Sequence, residues 1–139
     1  AYGCMSSFNR LGEGYFVSYR DPHLKNTLDI YRGVTEYLRN FSVSDRDMTK
    51  FIIGTISNMD QPMTPAIKGD RSMNLYMNRV SAQTIKEERL QVLHATQEDI
   101  RALADIVEKV IDAEQICVIG NEEKVEKEQA VFKEVKALF

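Results

Sequence analysis

The sequence offers few side chains that bind metal ions or form disulfides. Its 139 residues include two histidines, His23 and His94, and two cysteines, Cys4 and Cys117. Zinc sites need three or four ligands at characteristic spacings, and no Cys-x-x-Cys pair occurs, so we predict no metal site in this chain. Both cysteines fall in predicted strands and could be neighbours in one sheet. A buried free thiol is the favoured state for each, with a disulfide or a metal site as the alternative.

Several other functional signatures are also missing. The sequence contains no glycine-rich phosphate-binding loop and no nucleophile elbow. No apolar run is long enough to cross a bilayer, and no signal peptide is present. The formal net charge is -3, whereas nucleic-acid-binding proteins usually carry a basic excess on one face. We therefore expect neither nucleic acid nor a membrane as a partner.

The overall composition is that of a globular protein. Hydrophobic residues make up 43% and charged residues 28% of the chain, and its length suits a single domain, residues 1–139. The chain has no initiating methionine and opens inside a predicted strand, so we expect it to be a fragment or processed piece of a longer protein. We expect that protein to be cytoplasmic, or in an organellar matrix if the source is eukaryotic.

Residues 1–20 predict a β-hairpin. Residues 2–8 read as extended chain, residues 9–14 as a turn with two glycines, and residues 13–20 as a second strand. In the second strand aromatic and β-branched side chains alternate with others, which suits a pleated surface. Asp21 and Pro22 end the strand because proline has no N–H for the ladder, and they can cap and open the helix that follows.

Residues 22–112 predict a run of helices, because apolar residues there recur at intervals of three or four. Ser44 with Asp47, Thr64 with Pro65, and Thr96 with Asp99 resemble helix starts. Residues 115–120 are almost wholly apolar and end in glycine, which predicts a strand buried on both faces. Residues 122–139 predict a closing C-terminal helix. The predicted fold is a two-layer α+β arrangement: the hairpin plus one further strand, in an incomplete and mainly antiparallel sheet, covered by five to six helices.

Short segments spread along the whole chain carry a family resemblance. They are Tyr2-Gly3, Ser18-Tyr19-Arg20-Asp21-Pro22 feeding a long helix, Ile53-Gly54-Thr55-Ile56-Ser57, Pro62-Met63-Thr64-Pro65 and Lys68-Gly69. In order and spacing the chain resembles the C-terminal part of the insulinase/pitrilysin zinc metallopeptidases, the inverzincins, in their presequence-protease branch. This resemblance implies a two-layer α/β domain whose sheet is completed by strands from upstream.

The resemblance also implies a function. It makes this chain the C-terminal domain of a zinc metalloendopeptidase that degrades unfolded oligopeptides in an enclosed chamber. The zinc would be bound in the N-terminal half by an inverted His-x-x-Glu-His helix, a motif that this sequence lacks, so this chain alone should bind no zinc and be inactive. The implied partners are that zinc-binding half and an unfolded peptide. A homodimer through an exposed sheet edge is open to the isolated chain.

One residue-level role follows from the resemblance. Tyr2, directly before Gly3, matches a tyrosine that contacts the substrate carbonyl and the oxyanion, so both residues are candidates for substrate binding and Tyr2 for catalysis. The arginine that works with this tyrosine would precede Ala1. The alternative for Tyr2 is a strand residue without a function.

Two other functions stay open. One is a catalytically inactive scaffold or assembly domain of the same fold, which an upstream sequence without His-x-x-Glu-His would favour. The other is a free-standing helical protein-interaction module that uses a methionine-rich surface formed by Met63, Met73 and Met77, although methionines more often fill cores.

Overall fold

A computed structural model describes residues 1–9 and 11–137 of the chain. These residues form two strands, eight α-helices and one 3-10 helix, so the predicted α+β class is confirmed. The chain divides into two compact units. Unit 1 comprises Ala1–Asn40 and Arg101–Phe139, and unit 2 comprises Phe41–Ile100. The assignment of residues 1–139 to one domain stays a prediction.

The predicted hairpin is confirmed. Strands β1 (Gly3–Phe8) and β2 (Gly14–Tyr19) pair antiparallel, with Gly3 opposite Tyr19 and Phe8 opposite Gly14. Asn9 shapes the turn, because its side-chain oxygen accepts hydrogen bonds from the backbone N–H groups of Leu11 (2.9 Å) and Glu13 (3.1 Å). Gly12 has φ +83°, a conformation that glycine adopts without steric cost. Arg10, within the predicted turn, lies outside the described residues.

The inner face of the hairpin packs against helices of unit 1. The ring of Phe16 lies between Phe8, at 6.1 Å and nearly perpendicular, and Tyr31 of helix α1 (Leu24–Arg32), at 5.4 Å. Aromatic pairs in such geometry stabilise by about 0.5–1.5 kcal/mol beyond the burial of their surface. Helix α7 (Ala104–Asp112) also contacts β2. Tyr31 is therefore a packing residue.

The close fit between hairpin and helix gives a prediction at Gly14. A Cβ atom at this position would lie 2.6 and 2.7 Å from two ring carbons of Phe8 and 3.0 Å from a methyl carbon of Val110. We expect Gly14→Ala to lower the free energy of unfolding by about 1 kcal/mol in urea denaturation, because the Phe8 ring must shift. Gly3→Ala is the matched control, since nothing lies within 4 Å of a Cβ there. Equal effects at the two glycines would contradict the packing.

The helical region is confirmed across residues 22–112. In unit 1, α1 and α2 (Val34–Arg39) are separated only by Gly33. Helix α6 (Gln97–Ala102) begins within the residues of unit 2 and ends within those of unit 1, and in sequence only Leu103 separates it from α7. Gly33 and Leu103 keep right-handed helical angles, so each pair nearly continues as one helix. Together with the three helices of unit 2 and the short α8 (Glu122–Lys127), this gives six helical stretches in the described chain, which agrees with the five to six predicted.

Unit 2 contains α3 (Asp45–Met59), α4 (Pro65–Met77) and α5 (Ala82–Leu93). Their N-cap side chains accept hydrogen bonds from backbone N–H groups three residues on, which satisfies donors that a helix start leaves free. The caps are Ser44 (3.2 Å), Thr64 (3.4 Å) and Ser81 (3.0 Å). The predicted starts at Ser44 and Thr64 are therefore confirmed. Phe41 and Met48 are buried in this unit, and α3 packs against α5.

The predicted strand at residues 115–120 is wrong. These residues have no regular secondary structure, and the sheet within the described chain has only two strands. An apolar run becomes a strand only where a neighbouring strand offers free N–H and C=O groups, and no described segment pairs with this one. Ile119 is 82% exposed rather than buried on both faces.

The predicted helix at residues 122–139 is also too long. Helix α8 ends at Lys127, a 3-10 helix spans Gln129–Val131, and residues 132–137 are irregular. A short helix with few packing contacts is marginal, because most helical stability in proteins comes from burial of an apolar face. Leu138 and Phe139, at the end of this prediction, lie outside the described residues.

Candidate functional site

The candidate site residues lie together at one end of the hairpin. Tyr2, Gly3, Tyr19 and Arg20 form what we call the strand-end cluster. The backbone N–H of Tyr2 donates to the carbonyl oxygen of Tyr19 at 3.0 Å, and Gly3 stands opposite Tyr19 in the ladder. The Tyr2 side chain is 83% exposed and that of Tyr19 is 61% exposed. Both predicted site residues therefore stand at an accessible strand end.

The Arg20 side chain contacts both tyrosine rings of the strand-end cluster. Its guanidinium carbon lies 5.7 Å from the centroid of the Tyr2 ring and 5.4 Å from that of the Tyr19 ring. A cation at this distance is attracted to the negative ring face, and Arg20 makes this contact with both tyrosines. Its backbone has φ +51°, in the left-handed region that residues other than glycine rarely adopt.

The side chain of Asp21, which follows Arg20, is held by two hydrogen bonds. The Asp21 carboxylate accepts hydrogen bonds from the Thr27 hydroxyl at 2.7 Å and from the backbone N–H of His23 at 3.0 Å. The Thr27 hydrogen bond, followed by that of His23, lowers the pKa of the Asp21 carboxyl below its usual range. His23 is the N-cap residue and α1 begins at Leu24, so the predicted cap at Asp21 is wrong in position. Asp21 instead ties the strand exit to the first turn of α1.

Gly3 has open space around it. A Cβ atom built on Gly3 would have no heavy atom within 4 Å. Contacts within the described part of the chain therefore place no steric limit on a side chain there. The space next to Gly3, beside Tyr2, is therefore open within the described chain.

Unit 1 also contains a cavity of about 790 Å³. It is lined by the inner side of the hairpin, by α1 and α7, and by the segment at residues 115–121. The Tyr31 hydroxyl is hydrogen-bonded to Ser18 and lies 3.5 Å from the Cys4 sulfur, and burial raises the pKa of the Tyr31 phenol. Cys4 belongs to β1, whereas Cys117 lies in the irregular segment that lines the cavity, and both thiols are free and exposed. The prediction that both cysteines occupy strands is wrong for Cys117, and the prediction of a buried thiol is wrong for both cysteines.

Neither histidine belongs to the strand-end cluster. His94 is the C-cap residue of α5, and its ring nitrogen Nδ1 lies 2.8 Å from the Leu90 carbonyl oxygen. Within residues 1–9 and 11–137, no group of three or more His, Cys, Asp or Glu side chains could hold a metal ion. In the same part of the chain, no helix combines the length and the apolar character needed to span a membrane.

Sequence reasoning assigned Tyr2 and Gly3 to the site but gave Arg20 no role. The only sequence signal for Arg20 was its position between Tyr19 and Asp21, in one of the segments that carry the family resemblance. The positive φ and the two ring contacts depend on how the chain leaves β2, which no local pattern in the sequence reports.

Comparison with known proteins adds a family to this α+β architecture. The family model described as "PreP C-terminal domain" matches residues 1–122. Protein HypA of Clostridium perfringens is 39% identical over 99% of this chain. Presequence protease 1, chloroplastic/mitochondrial, of Arabidopsis thaliana is 32% identical over 98% of the chain, and the mitochondrial presequence protease of Emericella nidulans is 27% identical over 86%.

The family model thus covers the hairpin and helices α1 to α7, which is most of this chain. The chain belongs to the family of PreP C-terminal domains, in the insulinase/presequence-protease branch. It covers 14%, 13% and 11% of the lengths of the three relatives named above.

Proposed function

We propose that this chain is the C-terminal, non-zinc-binding domain of a zinc metalloendopeptidase that degrades unfolded oligopeptides in an enclosed chamber. Family membership supports a peptidase parent, since relatives along nearly the whole chain carry the name presequence protease. The observation that carries the proposal to residue level is the exposed phenol of Tyr2 at the end of the hairpin. The proposed substrate, metal and partners follow from the family resemblance.

In this proposal Tyr2 binds the oxygen of the scissile carbonyl. When water attacks a peptide bond, negative charge develops on that oxygen, and a phenolic O–H can donate a hydrogen bond to it. Such a donor stabilises the transition state more than the ground state, because the charge is largest in the transition state. The open backbone at Gly3 allows an extended peptide to approach beside the phenol.

The zinc and the remaining catalytic groups would come from elsewhere in the longer protein. Among the described residues, no group of three or more His, Cys, Asp or Glu side chains could hold a metal ion, which supports this placement of the zinc. The proposed partner is an N-terminal half that carries the zinc site, and the substrate is an unfolded peptide. Each strand of a two-stranded sheet has one unpaired edge, so further strands of the longer protein can extend the sheet. In the isolated chain a second copy can pair there instead.

We also propose a location for the longer protein. The relatives from Arabidopsis thaliana and Emericella nidulans are named as chloroplastic/mitochondrial and mitochondrial proteins. By analogy, this protein would act in an organellar matrix in a eukaryote and in the cytoplasm of a bacterium. We propose no role for nucleic acid or a membrane.

The test uses the longer protein that contains this chain and a quenched, unfolded peptide. We expect cleavage that stops when a chelator removes the metal and returns when zinc is added. The chain 1–139 alone, with and without zinc, should release no fluorescence. Zinc-dependent cleavage by the isolated chain would overturn the proposal that the N-terminal half carries the zinc site. A longer protein that is inactive under all these conditions would instead favour the scaffold function.

A further inference from the structure

Arg20 has a backbone conformation that is unusual for a residue directly after a strand. Three non-glycine residues of the described chain have positive φ: Arg20, Arg79 and Glu114. Arg79 and Glu114 each follow a helix, and their N–H groups bond to the carbonyls of Tyr76 and Ile111, both at 3.1 Å, as left-handed residues at helix ends commonly do. Arg20 instead follows a strand. Strain of this kind persists only where surrounding contacts hold it, and it often marks a functional site.

The contacts that hold Arg20 lie on both sides of it. Before it, the Tyr19 carbonyl accepts the Tyr2 N–H at 3.0 Å, one residue out of step with the ladder, in which Gly3 stands opposite Tyr19. After it, the Asp21 carboxylate is fixed by Thr27. The chain thus leaves β2 along a defined path, and that path brings the guanidinium over two tyrosine rings that neighbour it in sequence and across the ladder.

The Tyr2 ring needs such a contact. At 83% exposure it is covered by little of the described chain, and a phenol that swings freely is a poor donor to a developing charge. A cation beside the ring narrows the range of side-chain orientations without occupying the hydroxyl group. The Tyr19 ring contacts the same guanidinium at 5.4 Å and so helps to hold the Arg20 side chain.

We propose that Arg20 is a positioning residue that orients the Tyr2 phenol toward the peptide carbonyl by a cation–π contact. The inference rests on the proposed function of Tyr2 and deepens it. Arg20 acts through the Tyr2 ring and needs no contact with the substrate. It follows that Arg20 matters for kcat only while Tyr2 carries its hydroxyl group.

The test is a double-mutant cycle in the full-length protein, with kcat and KM measured on an unfolded peptide. In the wild-type background Arg20→Gln should lower kcat about fivefold, which corresponds to the ~1 kcal/mol of an exposed cation–π contact, and should leave KM nearly unchanged. In the Tyr2→Phe background the same change should have no further effect, because no hydroxyl remains to be oriented. Arg20→Lys keeps a cation and should retain most of kcat.

Two further variants distinguish the positioning effect of the Arg20 cation from the effect of its strained backbone and from a non-specific loss of activity. Arg20→Gly adopts a positive φ without strain, so it should match the wild type if only the backbone path matters, and should match Arg20→Gln if the cation matters. Arg46→Gln makes the same chemical change on the exposed side of α3 in unit 2 and should leave kcat unchanged.

The outcomes that overturn the inference differ from those that overturn the proposed function. The positioning role alone would be overturned if Arg20→Gly or Arg20→Gln had the kcat of the wild type. It would also be overturned if Arg20→Gln lowered kcat equally in the wild-type and Tyr2→Phe backgrounds, because Arg20 would then contact the substrate itself. An unchanged kcat in Tyr2→Phe would overturn the function assigned to Tyr2 and the inference with it.

Discussion

Tyr2→Phe should lower kcat of the full-length protein by about 10²- to 10³-fold, the loss seen when one donor to an oxyanion is removed. The change removes a single oxygen atom and keeps the ring, so the contact with Arg20 remains. KM should change little, because the hydrogen bond strengthens only as charge develops in the transition state. Steady-state kinetics on a quenched unfolded peptide measure both constants.

Tyr19→Phe is the matched control for that result. Tyr19 lies in the same cluster, under the same guanidinium, and is also exposed, but we assign it no contact with the substrate. Its loss of a hydroxyl should change kcat by less than about threefold, the effect of an ordinary exposed hydroxyl. If Tyr19→Phe cost as much as Tyr2→Phe, or if Tyr2→Phe were as active as the wild type, the assignment of the phenol would be wrong.

Ala104→Asp should lower the free energy of unfolding by about 3 kcal/mol, because it places an unpaired carboxylate in a buried position. Ala104 is 1% exposed and begins α7, which packs against α2 and contacts β2. Urea denaturation of the chain measures the change. Because α7 supports the strand that ends in the strand-end cluster, the same variant should also lower peptidase activity of the longer protein.

Ala102→Asp provides the comparison for that substitution. Ala102 ends α6, is exposed and lies only two residues away, so the same new charge remains in water. We expect it to change the free energy of unfolding by less than about 1 kcal/mol. A cost for Ala104→Asp no larger than that of Ala102→Asp would mean that α7 is not packed as described.

The sequence alone predicts much of the fold where the signals are local. The hairpin follows from alternation in residues 14–19 and from turn residues such as Asn9 and Gly12, which act within a few residues of themselves. Helix starts at Ser44 and Thr64 were predictable for the same reason, because a capping side chain bonds to a backbone group three residues on.

The prediction failed where an element depends on distant partners. Residues 115–120 have the composition of a buried strand, but composition cannot supply a neighbouring strand. The closing helix stops at Lys127 because periodic apolar residues beyond it find little to pack against. In the site, Tyr2 and Gly3 were reached through resemblance rather than through any catalytic pattern. Arg20 was missed because its role depends on one backbone angle and on two rings brought together by strand pairing.

The most direct measurement is an experimental structure of the full-length protein with a phosphinic peptide, whose phosphinyl oxygens mimic the oxyanion. Our account predicts that the hydroxyl oxygen of Tyr2 lies about 2.7–3.1 Å from a phosphinyl oxygen, with the Arg20 guanidinium still over the ring. A Tyr2 side chain packed into neighbouring protein, or a hydroxyl beyond about 3.5 Å from the bound peptide, would contradict it.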